Sequence, residues 1–143
     1  MIWYTGPNAD FVAEARSYLG VRWCHQGRSR DGVDCIGLPL VCAAAVRGME
    51  IPLPDYGRDV QGEAMQIGCQ KYLRPVAKAD AQPGDIVVLG LDRQRHMAIL
   101  GDYPGGGLSL IHAYLPNRKV IEARLDDAWR ARILSVFRLP ERE

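Results

Sequence analysis

The sequence has few of the features that mark a secreted, membrane-bound or metal-binding protein. It has four cysteines but no Cys-x-x-Cys pair, so a structural zinc site is not expected. No apolar run approaches the ~18 residues needed to span a membrane. The first seven residues lack a basic start followed by an apolar stretch, so no signal peptide is expected. The four thiols are therefore predicted to be reduced.

An excess of charge of one sign is also lacking. The chain has 18 Lys and Arg against 17 Asp and Glu, for a net charge of +1. This balance predicts neither a nucleic-acid nor a membrane partner. There is no internal repeat, linker or cofactor motif. With 48% apolar and 24% charged residues, the chain is predicted to fold as one domain over residues 1–143.

Helical spacing of apolar residues predicts three helices in the first half of the chain, over residues 9–19, 35–47 and 63–73. Asn8 is a candidate N-cap of the first helix, and Gly20 a residue that ends it. The second helix is apolar and rich in alanine, with Asp34 as its candidate N-cap. The third is expected to turn Ile67 inward. The polar stretch between the first two helices is predicted to be a loop.

The second half of the chain changes to the alternating pattern of strands. Turn signals rich in Gly, Pro, Asn and Asp separate five predicted strands, over residues 85–91, 95–101, 108–114, 119–125 and 133–139. A short helical turn is predicted over 126–130. Helices first and strands later predict the α+β class, with an antiparallel sheet packed on the helices.

Cys35 is the candidate nucleophile. With Asp34 as the cap, its thiol lies at a helix start, where unpaired N–H groups and the helix dipole favour a thiolate. Those N–H groups can also hold an oxyanion. This interpretation predicts a pKa about two units below the ~8.5 of a free thiol. The alternative is an inert cysteine in an apolar helix, and the local sequence leaves both open.

His96 and His112 are the candidate base and orienting residue. Strand alternation places His96 and Ala98 on one face, and His112 and Tyr114 on one face. If the two strands are neighbours, the imidazoles can hydrogen-bond, so that one acts as base to Cys35 and the other holds it. A single strand histidine is more often structural. Two of them together with a helix-start cysteine favour a catalytic set.

Other residues carry weaker signals. His25 lies in the loop before the candidate nucleophile and can line a cleft there. Cys42 and Cys69 are predicted to be core residues, and Cys24 is left open. Arg28 and its neighbours are interpreted as a solvated loop, the alternative being arginine clamps for a substrate carboxylate.

Together these stretches resemble a known family. Val21 to Gly27 and Asp31 to Leu38 resemble the opening motif of the NlpC-type, papain-like cell-wall cysteine peptidases. Gln82 to Val87 resembles their strand-entry motif, and His96 to Ile99 resembles the motif of the base histidine. His112 falls where the family places its third polar residue.

The resemblance, which covers residues 8–139, implies a fold and an activity. The implied fold is papain-like, with an N-terminal lobe of about three helices packed on an antiparallel sheet of about five or six strands. Cys35 is implied as nucleophile, His96 as general base and His112 as orienting residue. The implied substrate is the peptidoglycan stem peptide, whose amide bonds such enzymes hydrolyse without a metal or cofactor.

The sequence from His25 to Arg28 is similar to that of the family members found in phage tails, prophages and gene transfer agents. This similarity implies tail-tip proteins as partners. It also implies synthesis in the cytoplasm without a signal peptide, and action at the bacterial cell wall from a phage-like tail that opens the wall for DNA entry.

Three residues depart from the family pattern. Ile36 replaces a small polar residue, Ala98 replaces a glycine, and Trp23 replaces a tyrosine whose hydroxyl faces the site. An indole N–H can donate, but with a different reach. Trp23, Asp34 and His25 are the candidate substrate or oxyanion contacts. Two alternatives stay open: a tail-tip adaptor that keeps the fold without turnover, and a thiol deamidase or acyltransferase acting on a host protein.

Overall fold

The three longer helices precede the main sheet along the chain in the computed structural model, which describes residues 4–52, 56 and 64–141. The helices are α1 (Ala9–Arg16), α2 (Gly37–Arg47), α3 (Ala64–Tyr72) and the short α4 (Asp127–Arg130). A two-stranded hairpin of β1 (Arg28–Ser29) and β2 (Gly32–Val33) lies between α1 and α2 in the sequence. None of the helices in these ranges is both long and apolar enough to cross a membrane.

The main sheet has six antiparallel strands in the order β3–β8–β4–β5–β6–β7. Its members are β3 (Arg74–Val76), β4 (Ile86–Leu91), β5 (Gln94–Asp102), β6 (Leu108–Tyr114), β7 (Lys119–Arg124) and β8 (Ile133–Arg138). The predicted α+β class with an antiparallel sheet is confirmed. The sheet places β5 and β6, the strands that carry the two predicted site histidines, next to each other.

Strand alternation divides the apolar side chains into two clusters. On β5, Met97 and Ile99 belong to the cluster that contains the buried faces of α1, α2 and α3. Ala98 and Leu100 belong to a second cluster, against which Trp129 of α4 packs. The sheet therefore has buried side chains on both faces, and residues 86–89, 96–101 and 109–113 of its central strands are all buried.

An ion network joins α1 to the strands of the site. Arg16 Nη1 lies 2.9 Å from Asp102 Oδ1, and Arg16 Nη2 lies 2.8 Å from Glu122 Oε2. Ser109 donates a further hydrogen bond of 2.6 Å to Glu122. Because these partners lie on β5, β6 and β7, the network holds the helical part against the strands of the site.

Local predictions in the helices differ from the structure in three respects. α1 ends before Gly20, and Asn8 occupies the N-cap position in a left-handed conformation (φ 61°) without a side-chain capping bond. Ile67 of α3 is 59% exposed, since Met65 and Cys69 take the inward positions. The predicted start of the third helix at residue 63 lies outside the described residues.

Removal of the Arg138 guanidinium should destabilise the fold. Arg138 donates to both carboxylate oxygens of Asp85, at 2.7 and 3.0 Å, and Asp85 is completely buried at the entrance to β4. Arg138→Gln leaves this charge buried with only the 2.9 Å bond from the Gln82 amide, so urea unfolding should show a loss of about 3 kcal/mol. The matched control is Arg93→Gln in the exposed β4–β5 turn. Equal urea midpoints for the two variants would contradict this expectation.

Candidate active site

Cys35 lies in the capped turn that leads into α2. The helix begins at Gly37, two residues later than predicted, but Asp34 makes the predicted capping bonds. Its Oδ1 accepts from the Gly37 N–H at 2.7 Å, and its carbonyl accepts from the Leu38 N–H at 3.1 Å. A Cβ at Gly37 would overlap the Gly27 carbonyl, so the glycine allows the preceding loop to approach closely.

The thiol of Cys35 meets β5 one residue after His96. The Met97 N–H forms a hydrogen bond to the thiol that lowers its pKa. The pairing of β5 with β6 ends at Ile99 and Ile111, so β6 does not cover this amide and the thiol can reach it. Two segments far apart in sequence are thus neighbours, as the predicted site requires.

Burial raises the pKa of the Cys35 thiol to about 12, mainly by desolvation. The Met97 N–H opposes this effect, the Asp34 charge adds to it, and Arg28 opposes it. The lowered pKa predicted from the helix start is therefore wrong. The helix start favours a thiolate, but desolvation of the sulfur, which the sequence does not reveal, outweighs it. The resting site holds a neutral thiol.

His96 and His112 form the predicted contact between neighbouring strands. Nε2 of His96 lies 2.6 Å from Nδ1 of His112, and the residues are 7% and 0% exposed. Desolvation, together with the neighbouring His112, lowers the pKa of His96 to about 3. Desolvation alone lowers the pKa of His112 to about 4. Both rings are therefore neutral at physiological pH, and a neutral imidazole can accept a proton.

Aromatic rings enclose His112. Tyr114 stacks on it with ring centroids 4.9 Å apart and planes at 17°, while Trp129 meets it nearly edge-on at 5.4 Å and 86°. Nε2 of His112 is buried and has no hydrogen-bond partner within the described part of the chain. Packing, rather than a second polar group, therefore sets the orientation of this ring. The sequence alone does not identify Trp129 as part of the site, because its only signal there is a position in a short helical turn.

The other predicted contacts gather around the Cys35 turn. Trp23 and His25 stack at 6.4 Å, and His25 meets the ring of Tyr56 at 5.7 Å. Trp23 and His25 are partly exposed and can touch a substrate. The role of Asp34 as a substrate or oxyanion contact stays a prediction. The residue is only 3% exposed, and its carboxylate oxygens accept hydrogen bonds from Gln26, Gly37 and Tyr56. Its place is to hold the turn.

All four cysteines are free. Cys42 and Cys69 are buried among apolar side chains, as predicted, and burial raises the pKa of each thiol to about 12. Cys24 is partly exposed. Within residues 4–52, 56 and 64–141, no three potential metal ligands lie together.

Comparisons with known proteins agree with this geometry. The model of the NlpC/P60 family matches residues 20–138. The NlpC/p60 domain of the peptidoglycan hydrolase SagA is 24% identical with a TM-score of 0.67, over 94% of this chain and 100% of that one. A NlpC/P60 family protein from Bacillus cereus is 24% identical with a TM-score of 0.68, over 96% of this chain and 42% of that one.

A third relative is described as non-catalytic. RipD from Mycobacterium tuberculosis, a NlpC/p60 domain protein adapted to peptidoglycan binding, is 17% identical with a TM-score of 0.63. The match covers 96% of this chain and 100% of that one. The chain thus spans whole NlpC/p60 domains but less than half of the Bacillus cereus protein. No curated protein sequence matches it.

The buried neutral histidines should make the fold sensitive to acid. An unfolded imidazole titrates near 6.5, whereas the fold lowers the pKa of His96 to about 3 and that of His112 to about 4. Below about pH 6.5 the unfolded state binds more protons, so Tm should fall as the pH is lowered from 7 to 5. Thermal melts of the parent, of His25→Gln and of the double variant His96→Gln/His112→Gln check this. The fall should be shallower in the double variant alone, and a flat parent profile would contradict it.

Proposed function

Since the chain belongs to the NlpC/P60 family, we propose that it is a cysteine peptidase that hydrolyses amide bonds in peptidoglycan stem peptides. In this proposal Cys35 is the nucleophile, His96 the general base and His112 the residue that orients it. One observation carries the proposal. His96, which lies 2.6 Å from His112 in a buried contact, is the neighbour in sequence of Met97, whose amide binds the Cys35 thiol.

The proposed reaction starts from an uncharged site. The sulfur of Cys35 bonds to the amide carbonyl carbon while its proton passes to His96, which then protonates the leaving amine. Water hydrolyses the thioester, releasing the acid and restoring the thiol. With Nε2–H of His96 donating to Nδ1 of His112, the Nδ1 lone pair of His96 is free to take the proton. Trp23 and His25 are the proposed contacts to the stem peptide.

Replacement of either proton-transfer partner tests the mechanism. Cys35→Ala and His96→Ala should each lower the cleavage of purified muropeptides by about a thousandfold or more, because the residues act as a unit. Mass spectrometry of the fragments identifies the bond that is cut, and circular dichroism confirms the fold. Cys24→Ala, which removes another partly exposed thiol, is the control and should retain activity. Parent-like cleavage by Cys35→Ala would end the proposal.

A second candidate is a non-catalytic domain that binds peptidoglycan. The raised pKa of Cys35 favours it, as does the likeness to RipD, which carries that description. The same assay separates the two: wall sacculi would retain the parent and Cys35→Ala equally, and no fragments would appear. Modification of a host protein without wall fragments would instead support the thiol deamidase or acyltransferase alternative.

We further propose, from the similarity of His25 to Arg28 alone, that the protein acts from a phage-like tail. The three relatives above are not described as tail proteins. Mass spectrometry of tail particles purified from the producing strain should find the chain at a constant ratio to the other tail proteins. Its recovery only outside such particles would contradict this placement.

A further inference from the structure

Arg28, Tyr56 and Asp34 form a hydrogen-bonded series, the Asp34 relay, that ends beside Cys35. The Tyr56 hydroxyl donates to Asp34 Oδ2 at 2.8 Å, and Arg28 Nη2 donates to the Tyr56 hydroxyl oxygen at 2.8 Å. Nη1 of Arg28 also lies 3.5 Å from Asp34 Oδ1. The guanidinium therefore acts on the carboxylate both directly and through the tyrosine.

Asp34 needs this compensation because its carboxylate is buried. Two backbone amides donate to it, Gln26 N–H to Oδ2 at 2.8 Å and Gly37 N–H to Oδ1 at 2.7 Å. Amide donors satisfy the oxygens but bring no positive charge, so Arg28 is the counter-ion. The carboxylate belongs to the residue immediately before the proposed nucleophile, and its uncompensated charge would oppose any negative charge on the sulfur.

Tyr56 is held in place for this purpose by groups from the loop before Cys35. The Gln26 side-chain amide donates to the Tyr56 carbonyl at 2.9 Å, and the Arg28 guanidinium lies 5.6 Å from the Tyr56 ring centroid. Tyr56 is half-buried, and desolvation of its hydroxyl raises its pKa. A tyrosine hydroxyl is thus present near the nucleophile even though Trp23 stands where the family commonly has one.

We infer that Tyr56 and Arg28 are positioning residues that neutralise Asp34 and hold the Cys35 turn, and thereby set the reactivity of the thiol. The inference rests on the proposed role of Cys35 as nucleophile. The charged and titratable groups around the thiol act in the expected directions: Asp34 raises its pKa and Arg28 lowers it. On the β5 side, the neighbouring histidine is neutral and the Met97 N–H lowers the thiol pKa.

Alkylation of Cys35 measures this effect without any wall substrate. Tyr56→Phe removes only the hydroxyl, so Asp34 is less compensated. Iodoacetamide should then modify Cys35 about three- to tenfold more slowly between pH 7 and 10, as followed by peptide mass mapping of the full chain. In muropeptide cleavage, kcat should fall by a similar factor with KM within about twofold. Tyr103→Phe, on the β5–β6 hairpin, is the matched control and should match the parent.

Arg28 supplies the second test. Arg28→Gln removes the counter-ion and should also slow alkylation, while Arg28→Lys keeps the charge and should recover part of the rate. Alkylation within twofold of the parent in Tyr56→Phe and Arg28→Gln would overturn the inference. If Tyr56→Phe does not fold, Arg28→Gln and Arg28→Lys decide. If Tyr56→Phe and Arg28→Gln slow alkylation but the parent cleaves no muropeptide, the effect of the Asp34 relay on the Cys35 thiol stands and the proposed function is refuted.

Discussion

The contact between His96 Nε2 and His112 Nδ1 depends on a β-sheet ladder that stops short. Antiparallel pairing brings β5 and β6 side by side, but their register extends only over 99–102 and 108–111. Both imidazoles lie beyond the last pair and meet each other there, 2.6 Å apart. Because β6 does not pair with this end of β5, the Met97 amide is also open to the turn that carries Cys35. This one feature of backbone pairing thus places the proposed base, its partner and the Cys35 thiol at the same end of β5.

Burial determines the charge state of these groups. Desolvation favours the protonated thiol of Cys35 and the uncharged rings of His96 and His112, so these three groups of the candidate site are neutral at rest. Asp34 is different, because backbone amides and Arg28 solvate it in place of water. The candidate site therefore combines three uncharged side chains with one compensated charge next to Cys35. Because burial reduces the screening that water provides, a small change in the compensation of Asp34 is expected to change the pKa of the Cys35 thiol.

The predictable parts of this structure are those set by local pattern. Alternation predicted residues 108–114 as a strand with the bounds observed. That β5 and β6 are neighbours was only a condition of the site prediction, and the structure shows that it is met. The edge strand β3 was missed, since two of its three residues are exposed and Pro75 interrupts any strand pattern. The pKa of Cys35 and the contact of Tyr56 with Asp34 could not be predicted, because both depend on segments that only the folded chain brings together.

The order of strands has a consequence for synthesis. β8 is the last strand along the described chain, yet it lies inside the sheet, between β3 and β4. In a nascent polypeptide whose residues 133–138 are still inside the ribosome, no strand joins β3 to β4, and β4 presents an unpaired edge. It also lacks Arg138, the partner of the buried Asp85 carboxylate. The sheet can therefore be completed only once residues 133–138 are available, and a fragment ending before β8 is expected to be prone to aggregation and proteolysis.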